Sequence, residues 1–353
     1  MSESSGNTDR GQSGRLDRPV LEISGLKVYF NSGKNFVRAV DGISLEIGRG
    51  EVLGLVGESG CGKSTLARAA LKLIRPNSGS IKICGEEVSR LSERQMRQFR
   101  KKIQIVFQDP SSSLDPRMKV RDIISEPIVN FQLARRKSRD LEAAVENLLK
   151  SVGLDPSFAD RYPNEFSGGQ RQRIGIARAL APKPEIIIAD EPISALDVSI
   201  QAQILNLLNR LRRQSGIALM FISHDLRAVE YISDRIAVMY LGRLVEIGPS
   251  KRVYSEPLMP YTRGLISALP VPDPEVERKR KRYILQGETP SPADPPSGCR
   301  FRTRCQFAIE ECSKREPTLS EIRPSHFAAC LRINAENPDI EENQKRGLGA
   351  IGA

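Results

Sequence analysis

Residues 57–65 read Gly-Glu-Ser-Gly-Cys-Gly-Lys-Ser-Thr, and their spacing suits the cradling of a row of phosphates. Gly57, Gly60 and Gly62 let the backbone curl until successive N–H groups point inward, with Glu58, Ser59 and Cys61 filling the variable positions of the turn. Lys63 would reach the outer phosphates, Ser64 would offer its hydroxyl to Mg²⁺, and Thr65 would add a phosphate hydrogen bond. The positive end of a following helix would face the same anion. A second constellation closes the apolar run Ile186–Ala189. Asp190 stands where it could hold Mg²⁺, and Glu191 stands one residue further, placed to take a proton from an attacking water. A third begins at Ser167, a natural N-cap, followed by Gly168, Gly169 and Gln170 and by Arg171, Arg173 and Arg178. It reads as another anion-binding helix end. One nucleotide does not need both ends on one subunit, so this one is expected to serve a nucleotide held by a neighbour.

The last quarter of the chain carries Cys299, Cys305, Cys312 and Cys330, four of the six cysteines. Their spacing fits neither the paired C-x2-C of zinc ribbons nor the tight cysteine run of bacterial ferredoxins. Four thiols in a short basic segment still point to a metal. Arg300, Arg302 and Arg304 would offset the charge of a four-thiolate site, and His326 is a reserve ligand. Cys84 reads as an ordinary buried residue.

Elements that alternate along the chain must position these groups. Leu21–Phe30 and Ile43–Gly57 cluster apolar residues as strands do, and the stretch after Gly62 reads as a helix. Residues 112–161 are helix-rich. Short apolar strands are expected at 185–190 and 217–224, an amphipathic helix ending at Gly216 lies between them, and a hairpin is expected over 235–248. Buried strands alternating with helices imply an α/β core with a largely parallel sheet. From about residue 256 the chain turns rich in proline and charge, as a linker to a small terminal module would be. The basic run 278–282 reads as solvated linker, with contact to anionic membrane headgroups the alternative.

The chain has 353 residues and a net charge of +11, which favours anionic partners. No apolar run approaches the ~20 residues of a membrane span, and the polar N-terminus has no secretory apolar region. A cytosolic chain, at most peripheral to a membrane, is expected. Reduced thiols follow from that, so disulfides are the poorest account of the cysteines.

The ordered set of motifs resembles the ATP-binding-cassette (ABC) ATPases over residues 20–250. To the stretches above it adds Gln108 in Val-Phe-Gln-Asp-Pro, Asp197 in Ser-Ala-Leu-Asp, and His224 in Phe-Ile-Ser-His-Asp-Leu. The resemblance implies an α/β, P-loop (RecA-like) ATPase core with an antiparallel β subdomain and a helical signature subdomain. The expected boundaries are a tail at 1–18, a nucleotide-binding domain at 19–255 with its helical part near 111–166, an extension at 256–340, and a tail at 341–353. It implies Mg²⁺ held by Ser64, Gln108 and Asp190, catalysis by Glu191, His224 and Gln108, and adenine stacked on Phe30, with Tyr29 and Phe36 as competitors. Each ATP would lie between one subunit's phosphate loop and the Ser167–Gln170 signature and Asp197 of another.

Residues 256–274 and the cysteine segment resemble the C-terminal extension of oligopeptide/dipeptide importer ATPases, a branch that includes nickel and other small-solute importers. Met259 stands where that pattern usually has histidine. The branch implies a [4Fe–4S] cluster on Cys299, Cys305, Cys312 and Cys330, with zinc the alternative. It also implies a second ATPase subunit as heterodimer partner, two transmembrane permease subunits, and an extracytoplasmic peptide-binding protein acting indirectly. The expected place is the cytoplasmic face of the inner membrane, with no nucleic acid partner; the rival reading is a soluble ABC ATPase acting on nucleic acid, which the single cassette without a heptad run disfavours.

Overall fold

The computed structural model of the chain describes residues 18–340, apart from 33–34, 136–137, 271–274, 276–277 and 279–282. The expected tails, bar Arg18, and the basic run, bar Arg278, lie outside the described residues. The strands are β1 (Leu21–Ser32), β2 (Asn35–Ile47), β3 (Val52–Val56), β4 (Ser78–Ile83), β5 (Glu86–Glu87), β6 (Ile103–Val106), β7 (Ile186–Asp190), β8 (Ala218–Ile222), β9 (Arg235–Tyr240), β10 (Arg243–Pro249), β11 (Ser320–Arg323) and β12 (His326–Ala328).

The central sheet runs β11-β12-β10-β9-β3-β8-β7-β6. From β9 to β6 every neighbouring pair is parallel. Its strands read as continuous apolar runs because both faces are covered. Val52 and Val56 of β3 enter one core, with Ile187, Ala189, Leu219 and Phe221. Leu53 and Leu55, pointing the opposite way, enter the other with Ile186, Ile188, Met220 and Ile222. The second core is closed by the antiparallel sheet β2-β1-β4-β5.

Among the described residues the helices include α1 (Lys63–Ala70), α2 (Glu93–Arg100), α3 (Pro110–Ser113), α4 (Val120–Asn130), α5 (Arg139–Ser151), α6 (Gly168–Leu180), α7 (Val198–Ser215), α8 (Leu226–Ile232), α9 (Ser250–Ser255), α10 (Pro260–Ser267) and α11 (Glu311–Lys314). Helices α3, α4 and α5 form a layer against α6. Helix α5 is set by Ser138, whose hydroxyl caps Leu141 N–H at 3.2 Å, and by an apolar stripe of Leu141, Val145 and Leu149.

The C-terminal segment departs from a linker carrying a separate module. Hairpin β11–β12 joins the central sheet, with Glu246 and Ile247 of β10 opposite Ala328 and Phe327 of β12. The expected β9–β10 hairpin forms, yet β12 covers its outer edge. Glu246 explains the attachment. Its fully buried carboxylate accepts from Leu258 N–H at 2.8 Å and Met259 N–H at 3.0 Å, and lies 2.7 Å from His326 Nε2. Met259 is itself buried, so that position serves packing and backbone pairing here. His326 meets Glu246 through Nε2. Tyr240, Tyr261 and Phe301 close a second joint, their ring centroids 4.6 to 5.5 Å apart. Cys84 is half-buried rather than buried, because it sits at φ 52° in the turn before β5.

Candidate active site

The C-terminal ends of β3 and β7 bring the first two constellations together. β3 delivers Gly57 to the loop and α1 leaves it at Lys63. Only glycine fits at 62. Its φ is +107°, and a Cβ there would stand 1.9 Å from Ala39 O. Lys63 is buried and folds back over the loop, donating to Gly57 O at 2.7 Å and Glu58 O at 3.1 Å. Ser64 and Thr65 lie half-buried on the first turn of α1, while Ser59 and Gly60 are exposed at the tip. Cys61 is buried and its thiol is pushed up by burial.

Ser64 Oγ donates to Asp190 Oδ1 at 2.9 Å across the joint between α1 and β7. Burial pushes the Asp190 carboxyl up, and the Ser64 bond opposes the shift. A hydroxyl beside a buried carboxylate is a hard oxygen pair of the kind Mg²⁺ takes, so the residues fit that ion. Next along, Glu191 holds φ +48°, an uncommon conformation for a side chain of its size. Its carboxylate accepts from Gln108 Nε2 at 2.9 Å, and His224 Nδ1 lies 3.5 Å away. Gln108 and His224, far apart in sequence, thus meet on Glu191. Both are otherwise exposed.

The signature segment folds as a capping box. Ser167 Oγ accepts from Gln170 N–H at 3.3 Å, and Gln170 Oε1 accepts from Ser167 N–H at 2.9 Å. Gly168 and Gly169 form the first turn of α6, and Gly169 lies against Ile200, where a Cβ would come within 2.5 Å. The three arginines do not form part of an anion site. Arg171 donates to Phe166 O at 3.0 Å, Arg173 to Val152 O at 2.6 Å and Arg178 to Ser113 O at 2.6 Å. They satisfy carbonyls at the ends of neighbouring helices and turns, where cations are favoured. Asp197 is exposed at the start of α7. Of the aromatic candidates, Tyr29 is committed, its hydroxyl donating to Asp41 Oδ1 at 2.6 Å, whereas Phe30 and Phe36 are 39% and 57% exposed.

The cysteines approach one another. Burial raises the thiols of Cys299 and Cys330 to about 12 and Cys305 to about 11, with smaller contributions from neighbouring cysteines in each case. Backbone N–H groups of Phe301, Phe307 and Arg332 are aimed at Cys299, Cys305 and Cys330, the last at 3.4 Å. Such bonds favour thiolates and are usual around Fe–S sulfurs. Among the described residues, however, no group of three or more His, Cys, Asp or Glu is placed to hold a single metal ion. A tetrahedral zinc with ~2.3 Å bonds demands that convergence. A cluster, with its ligands spread around four irons, demands less. The spacing of the four thiols therefore supports neither group by itself. The arginines expected to offset the thiolates face elsewhere. Arg300 pairs with Asp41, Arg304 with Glu58, and Arg302 with Ser297 O. Buried Arg332, whose charge lowers the Cys305 thiol, is the cation that composition overlooked.

The ABC transporter family model matches residues 40–194, and the model for the oligopeptide/dipeptide transporter C-terminal region matches 245–312. YkfD of Bacillus subtilis is 55% identical over 324 residues, spanning 91% of this chain and 98% of that protein. The oligopeptide transport ATP-binding protein OppF of Salmonella typhimurium is 49% identical over 326 residues, spanning 89% and 96%. Among solved structures, a dimeric post-hydrolysis state of the ATP-binding cassette MJ0796 with ADP and Pi has a TM-score of 0.61 at 28% identity. It covers 65% of this chain and 98% of that one. No described helix is long and apolar enough to cross a membrane. The chain belongs to the ATP-binding subunits of ABC transporters, in the oligopeptide/dipeptide importer family, and as such is an ATPase.

Proposed function

We propose that this chain hydrolyses ATP to ADP and phosphate and couples that reaction to uptake of oligopeptides or dipeptides through separate permease subunits. The observation that carries the catalytic part is the meeting of Gln108, Glu191 and His224 beside the Ser64–Asp190 pair. Residues 57–65 cradle the phosphates, and Lys63 turns from Gly57 O to the outer phosphates. Ser64, Asp190 and Gln108 hold Mg²⁺, which when bound neutralises charge developing on the phosphate oxygens. Glu191 accepts the proton of the attacking water, and His224 contacts the terminal phosphate. Phe30 stacks on adenine.

Ser167–Gln170 and Asp197 serve a nucleotide held by a second ATPase subunit, in a head-to-tail pair that closes on ATP and opens after hydrolysis. The dimeric state of a structural neighbour supports the pair. We propose that the partner is a different ATPase subunit, that the assembly sits on the cytoplasmic face of the inner membrane, and that a peptide-binding protein outside delivers substrate. Cys299, Cys305, Cys312 and Cys330 would hold a [4Fe–4S] cluster, which would staple the loops of the extension.

The names of the relatives and the matched C-terminal region support peptides over nickel or another small solute. Vesicles carrying the chain with its permease, partner ATPase and binding protein should accumulate labelled peptide only with ATP. Accumulation of nickel without peptide would reverse the substrate assignment. Full uptake with this chain as sole ATPase would remove the heterodimer.

A further inference from the structure

Glu58 lies inside the phosphate loop, yet the groups that hold it come from the far end of the chain. Arg304 grips its carboxylate with both guanidinium ends, Nη1 to Oε2 at 2.8 Å and Nη2 to Oε1 at 3.0 Å. Thr289 Oγ1 donates to the same Oε2 at 2.8 Å, and the Glu58 N–H donates to Tyr261 OH at 2.8 Å. The grip is well shielded, with the Arg304 side chain 7% and the Glu58 side chain 24% exposed. Arg304 is fixed in turn over the Tyr240 ring, 6.0 Å from its centroid, and by Gln286 O at 3.3 Å. A bidentate Arg–carboxylate pair sets orientation as well as charge. Without it, the loop would carry a free carboxylate beside its triphosphate.

We infer that Arg304 is a positioning residue for ATP binding. It neutralises Glu58 and holds the phosphate loop from the C-terminal extension, so the state of that extension is read out as nucleotide affinity. The inference rests on the loop being the ATP cradle and is independent of what the cysteines hold. Tyr261 shows the same loop held from α10, so two elements of the extension converge on one residue of the cradle.

The test is titration of the full chain with Mg²⁺ and a fluorescent ATP analogue, alongside thermal melting. Arg304→Ala should weaken binding by about tenfold, the size expected of a charged hydrogen-bonded pair. Arg304→Lys, which keeps the charge but not the fork, should lose about threefold. Adding Glu58→Gln to Arg304→Ala should recover most of the loss, because the unpaired carboxylate is gone. A merely structural Arg304 would lower the melting temperature and leave affinity unchanged, and that result would overturn the inference. Losses from Arg304→Ala and Glu58→Gln that simply add would overturn it too. Should Arg304→Ala fail to fold, Arg304→Lys with and without Glu58→Gln decides in the same way. A wild-type chain that bound no nucleotide would instead overturn the cradle reading beneath it.

Discussion

In the cassette, β3 buries Val52 and Val56 on one face and Leu53 and Leu55 on the other, and both cores close over it. Residues 283–340 are built differently. They carry two short strands, the short helix Glu311–Lys314 and loops, and the ties to the cassette include Arg300 on Asp41, Arg304 on Glu58 and His326 on Glu246. The cassette is stabilised by apolar area, roughly 25 cal/mol for each Å² removed from water. The extension shares one of these cores through Phe301, Phe307, Ile322 and Ile333, and is fixed in addition by buried polar pairs, which are strongly destabilising when one partner is lost. Loss of a cassette contact leaves a cavity that neighbours can partly fill. Loss of an extension contact leaves a charge or an N–H that nothing nearby can satisfy.

The sharpest separation of the two regions comes from Glu191→Gln. Turnover should fall by ~10³-fold, the scale of losing a general base, while nucleotide binding and melting temperature stay near wild type. Turnover within tenfold of wild type would take Glu191 out of the base role. The next largest effect is expected at the joint. Glu246→Ala leaves the N–H groups of Leu258 and Met259 and the His326 ring without their acceptor. Unfolding free energy should drop by about 3 kcal/mol. A loss under ~1 kcal/mol in denaturant titration would mean the extension is not fixed by buried pairs.

Ser167→Ala removes the cap of α6 and should cost about 1 kcal/mol of stability. In the complex it should also weaken ATP-driven closure, if Ser167 meets the neighbour's nucleotide. The smallest effect concerns pH. Burial alone would raise Asp41, but Tyr29, Arg243 and Arg300 outweigh it and leave its carboxyl below the usual range. Stability from that group is complete above pH 3.8 and is lost as pH falls through the lowered value. Burial, then the bond to Asp41, raises the Tyr29 hydroxyl to about 12. Its contribution is complete below pH 10 and is lost as pH rises toward 12. Exchange of Leu241–Gly242 amides should therefore quicken at both extremes, and Asp41→Asn should abolish the acid limb.

Much of the cassette could be read from residue order because its chemistry is local. Gly62, Lys63 and Ser64 occupy consecutive places on one turn, and Asp190 ends an apolar run that can only be a buried strand. The arginines were harder to place. Arg171, Arg173 and Arg178 follow a glycine-rich cap and suggest an anion, yet Arg171 turns back to Phe166 O, and Arg173 and Arg178 reach carbonyls that are in place only once α5 and α3 are packed. Arg304 and Glu58 are separated by most of the chain, and no period or spacing links them. The pairing of His326 Nε2 with Glu246 is equally distant, and the burial of Glu246 follows from the position of β10 between β9 and β12. The site could be read where neighbours in sequence share a task, and could not where a long side chain chooses among distant acceptors.

The proposal that ligation at the cysteines adds to the buried pairs of the extension is tested most directly there. The chain, purified without oxygen, should be brown and carry about four irons and four sulfides, both lost when Cys299, Cys305, Cys312 and Cys330 become serine. The serine variant should keep ATP binding by the cassette with a lowered melting temperature. Zinc alone, or no metal in a chain of unchanged stability, would contradict the account.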